Sequence, residues 1–201
     1  MNKQEIMLVV GGIPGTSGRH GYPDNLFSVA NRLPNDCVIL EIGTQSGGSA
    51  TLFGMTVKER GGKVHCIDPC FVKVEDWPRS YYNYEGVGGY SRDNVEETFR
   101  QNGIDDIMTL HPGTSADIFE KWDPNIKLDM VYIDGCHTYE AVKEDMRWLE
   151  HTKDNAIVML DDWIQPVERA CEEYINEHPG WKRRSNPSFF PVWYQKDSSK
   201  K

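Results

Sequence analysis

Three carboxylates and one imidazole are the residues best spaced to do chemistry. Asp134 closes the apolar run 128–133, and Asp161 and Asp162 close the run 156–160. Both runs read as fully buried parallel strands, and residues 138–150 between them read as the crossover helix of a βαβ unit. Adjacent parallel strands end at one edge of a sheet, the edge where open α/β folds bind ligands. Three carboxylates there repel unless a cation or a substrate proton joins them. Carboxylate oxygens are hard ligands, suited to Mg²⁺ or Ca²⁺ rather than to zinc. His137, three residues after Asp134, titrates near neutral pH. The set suits metal-assisted proton abstraction. An alcohol barely ionises at pH 7, and its pKa falls on a divalent ion. His137 can then take the proton, typically worth ~10²–10⁴-fold. The plainer readings are a helix N-terminal His137, a strand-end Asp161 and an Asp162 that only orients a ligand.

A second group lies earlier in the chain. Glu41-Ile42-Gly43-Thr44-Gln45-Ser46-Gly47-Gly48-Ser49 sits between a strand and a helix. Gly43 lets the backbone turn and admits a ligand at close range. The helix N-terminus beyond it favours negative or polar groups. Gln45 interrupts G-x-G-x-x-G, which counts against a dinucleotide, and a purely structural turn stays open. Asp68, 27 residues after Glu41, ends the next strand and is placed to accept two ribose hydroxyls side by side. A solvated strand-end Asp before Pro69 is the alternative.

These residues need a scaffold, and apolar runs alternating with helical patterns describe one: α/β with a mainly parallel sheet. Helices are expected at 25–33, 49–60, 93–102 and 167–177, and strands at 37–40, 63–67, 107–110, 128–133 and 156–160. Residues 181–184 and 189–195 read as a closing antiparallel hairpin. Two stretches fall outside the framework. The Gly/Pro-rich segment 11–24 and the aromatic insert 71–90 are long enough to act as lids over the carboxyl edge or to be disordered. The N-terminal 1–24 is expected to be loop or lid and the tail 196–201 to be frayed.

The 201 residues fit one domain with a single core, and the formal charge of −9 argues against nucleic acid as a partner. Lys182-Arg183-Arg184 reads as a solvated strand end. The apolar run 6–10 is too short for a signal sequence or a membrane span, so a cytoplasmic location is expected. Cys37, Cys66, Cys70, Cys136 and Cys171 then read as core thiols rather than metal ligands. A homodimer through the hairpin edge is an open guess.

The order E-I-G-T-x-x-G-G-S (41–49), I-D (67–68), G-T-S-A-D (113–117), Y-I-D-G-x-H-x-Y (132–139) and L-D-D (160–162) resembles the class I S-adenosylmethionine-dependent methyltransferases. Within them it is similar to the family called methyltransferase domain 24, akin to the macrocin and mycinamicin-type sugar O-methyltransferases. The likeness runs over about 37–163. It implies a Rossmann-like class I fold: a mainly parallel seven-stranded sheet, helices on both faces and a C-terminal antiparallel hairpin. It also implies an S-adenosylmethionine-dependent, Mg²⁺-dependent O-methyltransferase acting on a hydroxyl of a small molecule or glycan. Gly43, Thr44, Gln45, Ser46 and Ser49 would line the methionine end of S-adenosylmethionine. Glu41 would anchor that loop or the amino group, Asp68 would hold the ribose, and Ser115 would sit by the adenine. Asp134 would border the cofactor and join Asp161 and Asp162 as metal ligands. His137 would be the general base.

Lys153-Asp154-Asn155 stands where relatives commonly turn on glycine, and the short segment before the first strand is not expected to supply the extended helical lid of the larger sugar methyltransferases. The acceptor wall is therefore expected from the insert 71–90 and from Phe189, Phe190 and Trp193. Aromatic walls suit sugars and polyketide or phenolic rings alike. Three other readings stand beside this one. A hydroxylase would need a second His beside His137, with only His65 and His111 to supply it. A non-catalytic cofactor-binding module would have no use for the carboxylates. A nucleotide-binding strand and turn at 6–15 lacks Gly-Lys-Ser/Thr.

Overall fold

The computed structural model describes residues 2–13, 22–69, 92–185 and 191–197. The aromatic insert, Cys70, Phe189, Phe190, the tail 198–201 and the stretch 14–21 lie outside the described residues.

The runs 128–133 and 156–160 form strand segments buried on both faces. The strands are β1 (Val38–Ile42), β2 (Lys63–Asp68), β3 (Met108–Pro112), β4 (Leu128–Ile133), β5 (Thr152–Leu160), β6 (Trp181–Arg183) and β7 (Val192–Lys196). They make one seven-stranded sheet in the order β3-β2-β1-β4-β5-β7-β6. The pairs from β3 through β5 are parallel, and β7 runs antiparallel to β5 and to β6. The expected hairpin therefore forms, with β7 threaded between β5 and β6.

Alternation along the strands builds two cores. Ile39, Val64, Cys66, Met130, Tyr132, Ile157, Met159 and Trp193 face one side. There they meet α1 (Lys3–Gly11), α2 (Tyr22–Ala30), α3 (Gly48–Val57) and α4 (Arg92–Gln101) through Ile6, Leu26, Phe53, Val95 and Phe99. Leu40, Ile42, Ile67, Val131, Ile133, Val158 and Leu160 face the other side. They pack on α6 (Tyr139–Asp145) and α7 (Gln165–Glu177) through Val142, Val167, Ala170 and Cys171, with α5 (Ser115–Phe119) at the margin. Burial of this kind is worth ~1.5–3 kcal/mol per large apolar side chain.

Four details depart from expectation. The run 6–10 is neither strand nor loop but the body of α1, begun by a capping box between Asn2 and Glu5. The described part of segment 1–24 is thus mostly helical, and α2 starts at Tyr22. The nucleotide-binding strand at 6–15 is overturned with it. β5 begins at Thr152, and the Lys153–Asn155 segment lies inside the strand, with Asn155 at φ 63° and a register shift against β4. Trp193 does not wall a site at the carboxyl edge. It packs at the opposite edge beside Leu33 and Ile157, with Arg32 5.9 Å from its ring. Cys37, Cys66 and Cys171 are core thiols as expected, whereas Cys136 is half-buried.

Candidate active site at the carboxyl edge

Between β1 and β4 the strand order reverses, opening a crevice at the carboxyl ends of the two strands. Gly43 follows β1 and Asp134 follows β4. Their amides bond to Ile67 O and Ile42 O, each at 2.9 Å, so both turns begin in register with the sheet. Gly43 has φ 89°, and a Cβ there would meet the Asp134 carbonyl oxygen at 2.2 Å. Glycine is required both by the left-handed backbone and by the close approach.

Beyond Gly43 the chain turns into α3. Gln45 is left-handed (φ 47°) and gives its amide to Asp68 Oδ2 at 2.7 Å. The N-cap of α3 is Gly47, which offers no side-chain cap. Polar ligand groups can therefore meet the first-turn amides. Gly43, Thr44, Gln45, Ser46 and Ser49 line a cleft of about 210 Å³ whose other walls include Asp134, Asp161 and Asp162. Eight of the predicted site residues thus meet in one place.

The remaining four stand behind this wall. Glu41 is fully buried under the loop, and neither carboxylate oxygen has a hydrogen-bond partner among the described residues. Burial pushes its pKa up to about 8, and the Ser49 and Thr44 hydroxyls nearby offset only part of that effect. Asp68 reaches the cleft through the Gln45 amide. Ser115 Oγ accepts from the Trp148 indole at 2.8 Å and lies beside the buried Asp145, whose pKa burial raises to about 7. His137 touches the site through two acids, with Nε2 at 3.6 Å from Asp134 Oδ1 and Nδ1 at 3.8 Å from Asp162 Oδ2. Those separations exceed a hydrogen bond, so the attraction is ionic. Asp134 pulls the imidazole above its ordinary range against the opposing effect of burial.

Asp161 is buried, and its Oδ1 lacks a partner among the described residues. Burial first, then the charge of Asp134, raises its pKa to about 7. Burial also raises Asp134. The site therefore retains protons near neutral pH, where ordinary carboxylates do not. Asp162 adopts φ 43°, a conformation that costs a non-glycine residue about 1–3 kcal/mol.

Sequence reasoning missed Tyr22. Its hydroxyl hydrogen-bonds that of Tyr132, whose own proton goes to Asp134 Oδ2 at 3.3 Å. Tyr22, Pro23 and Leu26 of α2 and Val10 of α1 complete the cleft. His65 and His111 are not near His137. They stack on each other beside Trp122, among the core of the α5 and α6 face, which removes the expected ligands of a hydroxylase.

Solved structures share this architecture. The O-methyltransferase TomG of Streptomyces achromogenes, solved with S-adenosylmethionine, aligns with a TM-score of 0.62 at 16% identity over 97% of this chain and 89% of its own. An O-methyltransferase of Bacillus cereus in complex with S-adenosylhomocysteine gives 0.62 at 13% identity, over 96% and 88%. The O-methyltransferase NovP gives 0.65 at 20% identity, over 87% and 79%. At these identities the likeness establishes the fold. The model of a methyltransferase domain, the family called methyltransferase domain 24, matches residues 40–163. That span holds the Gly43 turn, Asp68, Asp134 and the Asp161–Asp162 pair, and it is more than half of the chain, which therefore belongs to this methyltransferase family.

Proposed function

We propose that the protein transfers a methyl group from S-adenosylmethionine to a hydroxyl of a small molecule. One observation carries this reading: the loop from Gly43 to Ser49 and the acids Asp134, Asp161 and Asp162 face one cleft at the switch point of a methyltransferase-family sheet. The bound cofactors of the TomG and Bacillus cereus structures support the choice of methyl donor. In this reading the amides of the α3 first turn and the Ser46 and Ser49 hydroxyls take the methionine end. Asp68 takes the ribose. Glu41 holds the loop from beneath, and Asp134 borders the sulfonium. Ser115 braces the adenine side through Trp148 and Asp145. His137 is the base, held beside the acids by Asp134 and Asp162. Alignment of the acceptor oxygen with the sulfonium methyl supplies several kcal/mol, up to ~7–11 in favourable intramolecular cases.

A divalent ion, Mg²⁺ by donor chemistry, belongs to the same reading. Three carboxylates make a hard donor set, and Asp161 Oδ1, without a partner among the described residues, is an oxygen that a cation could satisfy. As the side chains stand, no three Asp, Glu, His or Cys residues among the described ones form a group that could hold an ion. His137 lies against Asp134 and Asp162 instead. Asp134, Asp161 and Asp162 would hold the ion once released from His137. A bound divalent ion lowers the pKa of an acceptor hydroxyl.

The test is calorimetric titration of S-adenosylhomocysteine into the protein, with Mg²⁺ and again with EDTA. Saturable one-to-one binding is expected. No heat of binding under either condition would remove the methyltransferase reading.

A further inference from the structure

Tyr22 places a phenol where a methyltransferase of this design must receive its acceptor. It is the first residue of α2, yet its ring is buried, and its hydroxyl joins that of Tyr132, 110 residues away in sequence. The same hydroxyl interacts with the Asp161 carboxyl group. Tyr132 continues the chain of hydroxyls to Asp134. The Tyr22 ring and the loop from Gly43 to Ser49 are walls of one cleft. A phenolic oxygen thus meets the acids assigned to the acceptor, in the cleft that the loop assigned to the methyl donor also lines.

The cleft is also too small for both reactants. Its volume of about 210 Å³ falls below the ~300–1,000 Å³ of usual ligand sites. Tyr22 is the side chain that can yield the space. The residues that anchor α2, Leu26, Val29 and Ala30, lie at least a turn further on and stay buried without it.

We propose, resting on the methyltransferase reading above, that the Tyr22 hydroxyl marks the seat of the acceptor oxygen, and that the acceptor is a phenol whose ring displaces Tyr22. Tyr22 itself favours a flat ring over a glycan: a phenol already fills the space, in a cleft that the aliphatic Val10, Pro23 and Leu26 also line. A sugar would leave hydroxyls unpaired wherever it met those aliphatic side chains, each costing about 1–3 kcal/mol. In the transfer, the oxygen–methyl bond forms as the sulfonium–methyl bond breaks, and the electron pair of that bond stays on sulfur. The phenol proton passes to His137, the base of that reading.

The test uses p-cresol, the side chain of tyrosine as a free molecule, with methyl-labelled S-adenosylmethionine and MgCl₂. Tyr22→Ala is expected to form labelled 4-methylanisole at least about tenfold faster than wild type, and to leave methyl β-glucoside unmodified. Tyr22→Phe keeps the ring in place and is expected to stay well below the Tyr22→Ala rate. In wild-type protein carrying 3-fluorotyrosine, the Tyr22 ¹⁹F resonance, assigned by its loss in Tyr22→Phe, is expected to move to an exposed position when p-cresol and S-adenosylhomocysteine are both present, and not with toluene. Failure of wild type to bind S-adenosylhomocysteine overturns the methyltransferase reading and this inference together. Binding of S-adenosylhomocysteine with an unmoved Tyr22 resonance, or with no 4-methylanisole from a folded Tyr22→Ala, overturns this inference alone.

Discussion

Gly43 and Asp134 touch across the point where the strand order reverses. A Cβ on Gly43 would stand 2.2 Å from the Asp134 carbonyl oxygen and 2.5 Å from its carbon. Both atoms are backbone at the end of a central strand, so neither can swing aside. Gly43→Ala adds the strain of φ 89° to this overlap. Left-handed strain and overpacking each cost about 1–3 kcal/mol. Gly43→Ala is therefore expected to lower unfolding free energy by about 3 kcal/mol or more in urea, and to abolish S-adenosylhomocysteine binding. A loss under about 1 kcal/mol would mean that β1 and β4 are not locked at this point.

Asp68 has one duty in the fold and a second in the proposed reading. It is buried and takes the Gln45 amide at 2.7 Å, which orients the loop assigned to the methionine end. In the proposed reading it also takes ribose hydroxyls. Hydrogen bonds to a charged group are worth about 1.5–3 kcal/mol, so Asp68→Ala is expected to weaken S-adenosylhomocysteine by about 10–100-fold in calorimetry. An unchanged Kd would take the ribose away from Asp68.

Glu41 makes stability depend on pH. Its pKa, pushed up to about 8 by burial and by the charges of Asp134 and Asp68, stands above that of the unfolded chain. The folded state thus holds an extra proton from about pH 4.5 to about pH 8, and stability falls as pH rises across that window. Glu41→Gln removes the charged form. It is expected to gain on wild type by about 3–5 kcal/mol between pH 5 and pH 9, read as urea midpoints along a pH series. Parallel curves for the two proteins would show that Glu41 finds a counter-charge.

The divalent ion can be tested without an acceptor. A ligand at ~100 times its Kd stabilises by about 2.7 kcal/mol, or about 5–10 °C in Tm for a chain of this size. MgCl₂ is expected to raise the wild-type Tm by that order relative to EDTA, and to leave Asp161→Asn unmoved. Equal shifts in both proteins would place any bound ion elsewhere.

Legibility of the fold followed the strength of each local signal. β1, β4 and the second half of β5 are largely apolar runs ended by Glu41-Ile42-Gly43, Asp134 and Asp161, and β2 ends at Asp68. Burial on both faces leaves no other use for such runs, so strands and edge carboxylates could be read together. Helix α1 was hidden because five apolar residues fit a strand as well as a buried helix turn. The capping-box pair Asn2 and Glu5 was the available signal. Tyr22 carried no signal at all, since its meaning comes from Tyr132, 110 residues away. Trp193 was misplaced because its position in β7 assigns it to the face of α2, near the end of that helix remote from Tyr22.

Ser115 separates what the family resemblance implies from what its contacts do. The resemblance puts it beside an adenine, while in the fold its oxygen receives the Trp148 indole proton and its hydroxyl eases the charge of buried Asp145. Ser115→Ala leaves the indole N–H unpaired in the core, at about 1–3 kcal/mol. It also removes the donor that holds the Asp145 pKa down, so that pKa rises further above about 7. Below the folded pKa Asp145 is neutral and loses little. Above it the charged carboxylate is buried with less support. The destabilisation by Ser115→Ala is therefore expected to be larger at pH 8 than at pH 5, measured by urea unfolding followed through tryptophan fluorescence. A pH-independent loss would show that Ser115 serves Trp148 alone. A stable variant that binds S-adenosylhomocysteine more than about tenfold weaker would return the residue to the adenine.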